Sequence, residues 1–199
     1  MYNRLNIHVN FEMGNIYVYT GEGPGKTTSA LGVALRSIGH RKKVIIIQFL
    51  KWWKNTGEYL VKDFLKPYYE IYQFGVPGWI KIKGEVGEEV EIDGSKYKVR
   101  SITELDRIRA VEALKFAEEV ALKKKPFLLI LDEINLAIHL NLITMEEIVE
   151  FLEKLPKETH VILTGRYAPK ELIEKAHAAN RIEIIKMPSK MLTVEGINY

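Results

Sequence analysis

The stretch from Tyr19 to Ala30 reads YTGEGPGKTTSA, and it constrains this chain more than any other. It lies between a short β-rich run and a helical pattern. Its G-x-x-x-G-K-T spacing is one residue shorter than the usual G-x-x-x-x-G-K-[ST] phosphate loop. Gly21, Gly23 and Gly25 admit backbone angles closed to other residues, so successive N–H groups can face one concavity. The start of the following helix adds partial positive charge and Lys26 a full one, while Thr27 brings the hydroxyl that ligates a phosphate-bound magnesium. A glycine-rich turn that merely starts a helix is the plain alternative, and GKTT at a strand–helix junction weighs against it. The loop implies polyphosphate binding with Mg2+.

The rest of the chain has the form such a loop needs. Strand-like runs fall at 15–20, 43–49, 69–74, 127–131, 160–164 and 181–186. Runs such as VIII and FLLIL are apolar at nearly every residue, as in parallel strands covered on both faces. Helical patterns lie between them: one from Lys26 to Gly39, a long one over ITELDRIRAVEALKFAEEVALKKK, one over TMEEIVEFLEKL from Thr144 and one over APKELIEKAHA from Pro169. In the long helix Thr103 is the expected N-cap and Asp106 completes a capping box. Lys123, Lys124 and Lys125 complement its C-terminus. The expected fold is α/β, with a mostly parallel sheet flanked by helices in one domain over 1–199. Residues 84–100 read as a β-hairpin turning at Asp93-Gly94, and residues 1–13 as an arm or extra strand.

Composition excludes several function classes. The 199 residues carry a formal charge of +3 and lack a basic stripe, so a dedicated nucleic-acid binder is not expected. The absence of cysteine removes thiolate chemistry, disulfides and cysteine-held metal centres. The apolar runs are too short to span a bilayer and the first residues have no signal-peptide pattern, which makes a cytoplasmic protein the expectation. The run FLLILDE puts Asp132 and Glu133 at the C-terminal end of a buried strand, where α/β sheets place ligands; both are candidates for holding the magnesium.

The shortened loop TGEGPGKTT resembles the TGNGKGKTT and TGDGKGKTT loops of the phosphate-loop ATP:corrinoid adenosyltransferases. The similarity continues in order through ALRSIGHRKKVIIIQFLK, NTGE, YEIYQFG, LILDEINLAIHLNLITMEEIVEFL, HVILTGR and EGINY. Only about 1–13 and 80–102 fall outside it, the latter carrying the inserted hairpin. The resemblance implies a RecA-like phosphate-loop fold. It also implies transfer of the 5′-deoxyadenosyl group of ATP to the Co(I) centre of a reduced corrinoid, with release of triphosphate in cobalamin biosynthesis or salvage. The residues matching the family's ATP site are Gly21, Glu22, Gly23, Pro24, Gly25, Lys26, Thr27 and Thr28 in the loop, with Arg36, Glu58 and Arg166. Lys26 and Glu133 match its catalytic positions, and Glu133 its magnesium acid, with Asp132 as rival. Trp79, in the loop after FG, matches an aromatic that covers the lower cobalt face; Trp52 and Trp53 are further corrinoid candidates. Arg36 and Arg166 read equally well as a solvated helix residue and a surface ion-pair partner. One indole of the Trp52–Trp53 pair packed and the other at a subunit contact is an equal alternative.

Departures from the family pattern are specific. Glu22 adds a carboxylate near an anion, Pro24 removes a positive charge and an N–H donor, and Lys81 stands where some members have tryptophan. The family also implies a homodimer, and a reductase partner is compatible with it. The rival readings are an ATPase or small-molecule kinase cleaving the γ-phosphate, a RecA-like motor, and a non-catalytic corrinoid carrier.

Overall fold

In the computed structural model, residues 14–81, 89–92, 95–186 and 194–199 are described. Six strands form one parallel sheet: β1 (Ile16–Thr20), β2 (Val44–Phe49), β3 (Tyr69–Phe74), β7 (Leu128–Asp132), β8 (His160–Thr164) and β9 (Ala178–Arg181). Their order is β3-β2-β7-β8-β1-β9, and every neighbouring pair runs parallel. Helices flank the sheet, as expected for a RecA-like α/β fold: α1 (Lys26–Gly39), α2 (Gly57–Leu60), α3 (Glu104–Lys124), α4 (Ile134–His139), α5 (Met145–Glu153) and α6 (Lys170–Lys175).

Strand residues alternate between the two faces, and the apolar runs feed two cores. Val18, Ile45, Ile47, Leu129, Leu131, Val161 and Leu163 pack with α3, α4 and α5; Val44, Ile46, Leu128, Ile130 and Ile162 pack with Ala30 and Ala34 of α1. Alanines at 110, 113, 117 and 121 form the buried stripe of α3 at helical spacing, small enough to let the helix lie close to the sheet. Thr103 and Asp106 form the expected capping box. The lysines at the end of α3 are paired: Lys123 with Glu119, Lys124 with Glu70 and Lys125 with Glu158.

Two expectations need correction at the far edge. The sixth strand is β9 at Ala178–Arg181, so the run 181–186 lies almost entirely outside the sheet, and α6 stops at Lys175 rather than continuing through AHA. The backbone of His177 donates to Ile16 O at 2.8 Å, and Ile16 N donates to His177 Nδ1 at 2.9 Å. This clasp sets β9 against β1, so pairing with β1 selects the edge strand despite its exposed, weakly apolar residues. Ile182 then donates to Thr20 O at 2.8 Å and accepts from Gly23 N at 3.0 Å, backing the glycine loop.

The insertion forms a separate three-stranded sheet: β4 (Trp79–Ile80), β5 (Glu89–Ile92) and β6 (Ser95–Arg100), in the order β4-β6-β5. β5 and β6 pair antiparallel, as the hairpin reading expects. Its turn residues Asp93 and Gly94, like the arm 1–13, lie outside the described residues. Arg100 anchors the insertion. Its guanidinium donates to both carboxylate oxygens of the buried Asp106 at 2.7 Å, and to the carbonyls of Val76 at 3.1 Å and Pro77 at 3.0 Å.

Candidate functional site

The loop from Gly21 to Gly25 leaves the C-terminal end of β1 and enters α1. Gly21 at φ 109° and Gly25 at φ 110° occupy the region that only glycine adopts without strain, and a side chain on Gly21 would strike the carbonyl of Ile182. Gly25 offers no side-chain cap, so the free N–H groups of the first turn of α1 stay with the loop. Lys26 is 7% exposed, and its Nζ donates to Gly23 O at 2.6 Å. Burial lowers its pKa, against the carboxylates of Glu133 and Glu22 and together with the charge of Arg166. Pro24 and Thr28 are exposed, while Glu22 is half-buried.

Asp132 is fully buried and is the hub of the site. Its Oδ1 accepts from Thr27 Oγ1 at 2.9 Å and Thr164 Oγ1 at 2.6 Å; its Oδ2 accepts from Gln48 Nε2 at 3.0 Å and Lys51 Nζ at 2.8 Å. Burial alone would raise its pKa, but Lys51 and the hydroxyl donors outweigh that and hold it below the usual carboxylate value. Glu133 next to it goes the other way. Burial and the neighbouring Asp132 charge push its pKa up, against the pull of Lys51, Lys26 and Arg166. Between the two candidate acids, the loop hydroxyl bonds to Asp132. Glu133 faces the same charges from the N-terminus of α4, in a left-handed conformation at φ 65°.

Lys51 and Glu58 carry the site outward. Lys51 Nζ lies 3.3 Å from Thr27 Oγ1 and 3.8 Å from Glu58 Oε1. Burial opposes its charge, yet Asp132, Glu133 and Glu58 raise its pKa. Glu58 also accepts from Gln48 Nε2 at 3.3 Å. Gln73 Nε2 bonds Gln48 Oε1 at 2.9 Å and Trp53 O at 3.1 Å, so a polar chain runs from Asp132 to the tryptophan loop.

There, Leu50, Lys51, Trp52, Trp53, Glu58 and Trp79 line a cavity of about 250 Å³, together with Thr56, Asn198 and Tyr199. Trp52 packs edge-on against Trp79 at 6.5 Å and against Tyr97 of the inserted hairpin at 5.1 Å, and its Nε1 donates to Gly78 O at 3.2 Å. Trp53 meets Tyr199 at 5.1 Å. The buried hydroxyl of Thr56 has no hydrogen-bond partner among the described residues.

Most of the expected residues therefore converge on the C-terminal edge of the sheet. Arg36 does not. It is exposed on α1, ten residues beyond Lys26 and so about 15 Å along the axis, and its charge acts on the Tyr19 hydroxyl. Sequence reasoning missed Gln48, Lys51, Gln73, Tyr97 and Thr164. A signal for two of them was present: Gln48 and Gln73 are the chain's two glutamines, each set in an apolar strand run.

Chemically, the donor set suits a hard divalent cation, with the Thr27 hydroxyl and Asp132 carboxylate together and Glu133 beside them. Among the described residues no three acidic or histidine side chains converge to hold a metal alone. Phosphate oxygens and water would supply the remaining ligands. Among the same residues, no helix is long and apolar enough to cross a membrane.

Comparison with known proteins agrees with this arrangement. Residues 12–199 match the family model described as ATP:corrinoid adenosyltransferase BtuR/CobO/CobP. A corrinoid adenosyltransferase of Sinorhizobium sp. is 32% identical over 192 residues, covering 94% of this chain and 81% of the relative. The corrinoid adenosyltransferase of Escherichia coli K12 is 29% identical over 175 residues, covering 88% and 79%. The corrinoid adenosyltransferase CobA of Salmonella typhimurium LT2 is 26% identical over 175 residues, with the same coverage. A match along nearly the whole chain, running through the loop and through Asp132 and Glu133, shows that the chain belongs to the ATP:corrinoid adenosyltransferase family.

Proposed function

We propose that the protein transfers the 5′-deoxyadenosyl group of ATP to the Co(I) centre of a reduced corrinoid, releasing triphosphate. The observation that carries this reading is the adjacency of two unlike sites. A phosphate cradle and a tryptophan-walled cavity share Lys51 and Glu58 as a common wall. A nucleotide held by its phosphates at the loop directs its sugar toward aromatic surface suited to a flat macrocycle.

In this reaction the electron pair of Co(I) forms the bond to ribose C5′. The C5′–O bond breaks, and triphosphate leaves with the electron pair of that bond. Negative charge grows on the leaving group, so Lys26, Arg166 and the N–H groups at the start of α1 act on the developing charge rather than on a γ-phosphoryl group in flight. Magnesium held by Thr27 and Asp132, with Glu133 beside it, would supply a further positive charge at the same phosphates. Glu58 holds Lys51 and Gln48 and stands where ribose hydroxyls would pass. No side-chain nucleophile is required. Trp79, Trp52 and Trp53 exclude water from the reducing centre and position the corrinoid. Glu22 and Pro24 weaken phosphate affinity relative to the family loop, which leaves more of the grip to Lys26 and the metal. Arg36 lies away from the phosphate cradle along α1 and matches the nucleoside side of the family's ATP site, where its charge acts on the Tyr19 hydroxyl.

A reductase partner would supply the electrons that make Co(I). A homodimer, implied by the family resemblance, and a cytoplasmic location complete the reading. Cleavage at the γ-phosphate is the second reading, favoured by the Thr27–Asp132 bond, which serves that chemistry equally well. Anaerobic incubation with chemically reduced cobalamin and Mg-ATP separates them. Triphosphate and a light-sensitive alkylcobalamin are expected; ADP with inorganic phosphate, and no alkyl product, would overturn the proposal.

A further inference from the structure

We propose that Lys51 guards the cation seat. Its ammonium group occupies the place between Thr27 and Asp132 that a divalent ion would take, so the metal enters only in company with the nucleotide's phosphates. This rests on reading Thr27 and Asp132 as the metal's ligands and assigns a residue that controls them.

The geometry is that of one cation serving several acceptors. The ammonium nitrogen lies 2.8 Å from Asp132 Oδ2, 3.3 Å from Thr27 Oγ1 and 3.8 Å from Glu58 Oε1. A divalent ion bonded to the same hydroxyl and carboxylate would stand within a few ångströms of that positive charge, and the two repel strongly in a partly buried site. The protein also offers few oxygens for the ion. No third acid or histidine among the described residues completes a cluster, and a small hard cation gives up its water reluctantly for an incomplete ligand set. Nucleotide phosphates change both conditions at once, since they supply the missing oxygens and a negative charge that draws the ammonium away.

The chain around Lys51 is built so that only its side chain moves. Leu50, a non-glycine residue at φ 61°, turns the backbone at the end of β2 and sends Lys51 back across the strand ends. Gly75 N donates to Lys51 O at 2.8 Å, and a side chain on Gly75 would collide with the backbone of Leu50 and Lys51. The backbone is therefore clamped against the end of β3, while the four-carbon stem can swing the ammonium between Asp132 and an incoming phosphate.

Mn2+ binding, followed by the EPR signal of the free ion, tests the proposal on the full chain. In the absence of nucleotide, the unaltered protein should bind Mn2+ weakly, and Lys51→Met should bind it at least about tenfold tighter, as expected when one unit of like charge leaves the seat. Lys51→Gln keeps a donor for Asp132 and gives the same readout if the methionine variant does not fold. With a non-reacting ATP analogue present, the unaltered protein should remove clearly more free Mn2+ than the same analogue does without protein. If neither variant gains affinity for Mn2+ alone while the analogue still brings the ion in, the guard is refuted and the metal reading stands. If protein and analogue together bind no more Mn2+ than the analogue alone, the metal reading fails and the guard with it.

Discussion

Asp132 has no solvent exposure and four donors, and that saturation decides its part. A buried carboxylate with this many partners stays ionised, and removing any one donor leaves charge poorly compensated in a low-dielectric site. Lys26 is different: its ammonium makes one bond, to a loop carbonyl, and burial already works against its charge. Truncating it relieves a desolvation cost instead of stranding a partner. Lys26→Ala should therefore unfold at the unaltered protein's denaturant midpoint yet release triphosphate at least about 10²-fold more slowly, the order lost when one donor to a developing charge is removed. Single-turnover triphosphate release beside a urea titration checks both halves. Full turnover in the variant would show that the loop does not grip the leaving group.

At the scale of elements, small polar clamps hold the sheet to its helices. Glu70 in β3 pairs with Lys43, just before β2, at 2.8 Å and with Lys124 at the end of α3 at 2.6 Å, and accepts from Tyr72 at 2.6 Å. Burial would raise its carboxyl, but the two lysines and the tyrosine bring it from 4.5 down to about 2. A carboxyl whose folded pKa lies below its unfolded value stabilises the fold above the unfolded value. That contribution is lost as pH falls from about 4.5 toward about 2. Glu70→Gln should thus be less stable than the unaltered protein at pH 7, with the difference closing across that acid window. Unfolding midpoints measured at several pH values report it, and a pH-independent gap would mean that the clamp acts through packing alone. The inserted sheet is held in the same manner, through Arg100 and the buried Asp106. That clamp fixes Gly78 and Trp79 beside the tryptophan loop.

Across the whole molecule, two apolar layers sandwich a parallel sheet, and its C-terminal edge gathers chemistry from β1, β2, β7 and β8. The phosphate cradle and the aromatic cavity meet at Lys51 and Glu58, but Trp79 lies beyond that shared wall in β4, so its loss should touch the cavity alone. Trp79→Ala should raise KM for reduced cobalamin severalfold, up to about tenfold, as loss of an aromatic contact of about 0.5–1.5 kcal/mol implies. ATP affinity should stay unchanged. Steady-state kinetics with each substrate varied in turn tests this; equal losses for both would show that the tryptophan supports the fold of the edge rather than the corrinoid.

The loop, five of the six sheet strands, the capped long helix and the hairpin were legible along the chain because each is written in neighbouring residues: glycine spacing, uninterrupted apolar runs, a threonine three positions before an aspartate. Local pattern also brought Asp132 and Glu133 to a strand end and Trp52 and Trp53 to a loop, whereas Trp79, expected in a loop, opens β4. It had no means of ranking the two acids, since that depends on which side chain of β7 faces Thr27 across the intervening β8. Nor did it identify Lys51, whose partners are Thr27 and Asp132, far apart in sequence and joined only by strand order. The edge strand β9 was misplaced for the same reason. Pairing with β1 chose a weakly apolar segment over the stronger run beside it, because hydrogen bonding to a neighbour is a property of the assembled sheet, whereas hydrophobicity is a property of the chain.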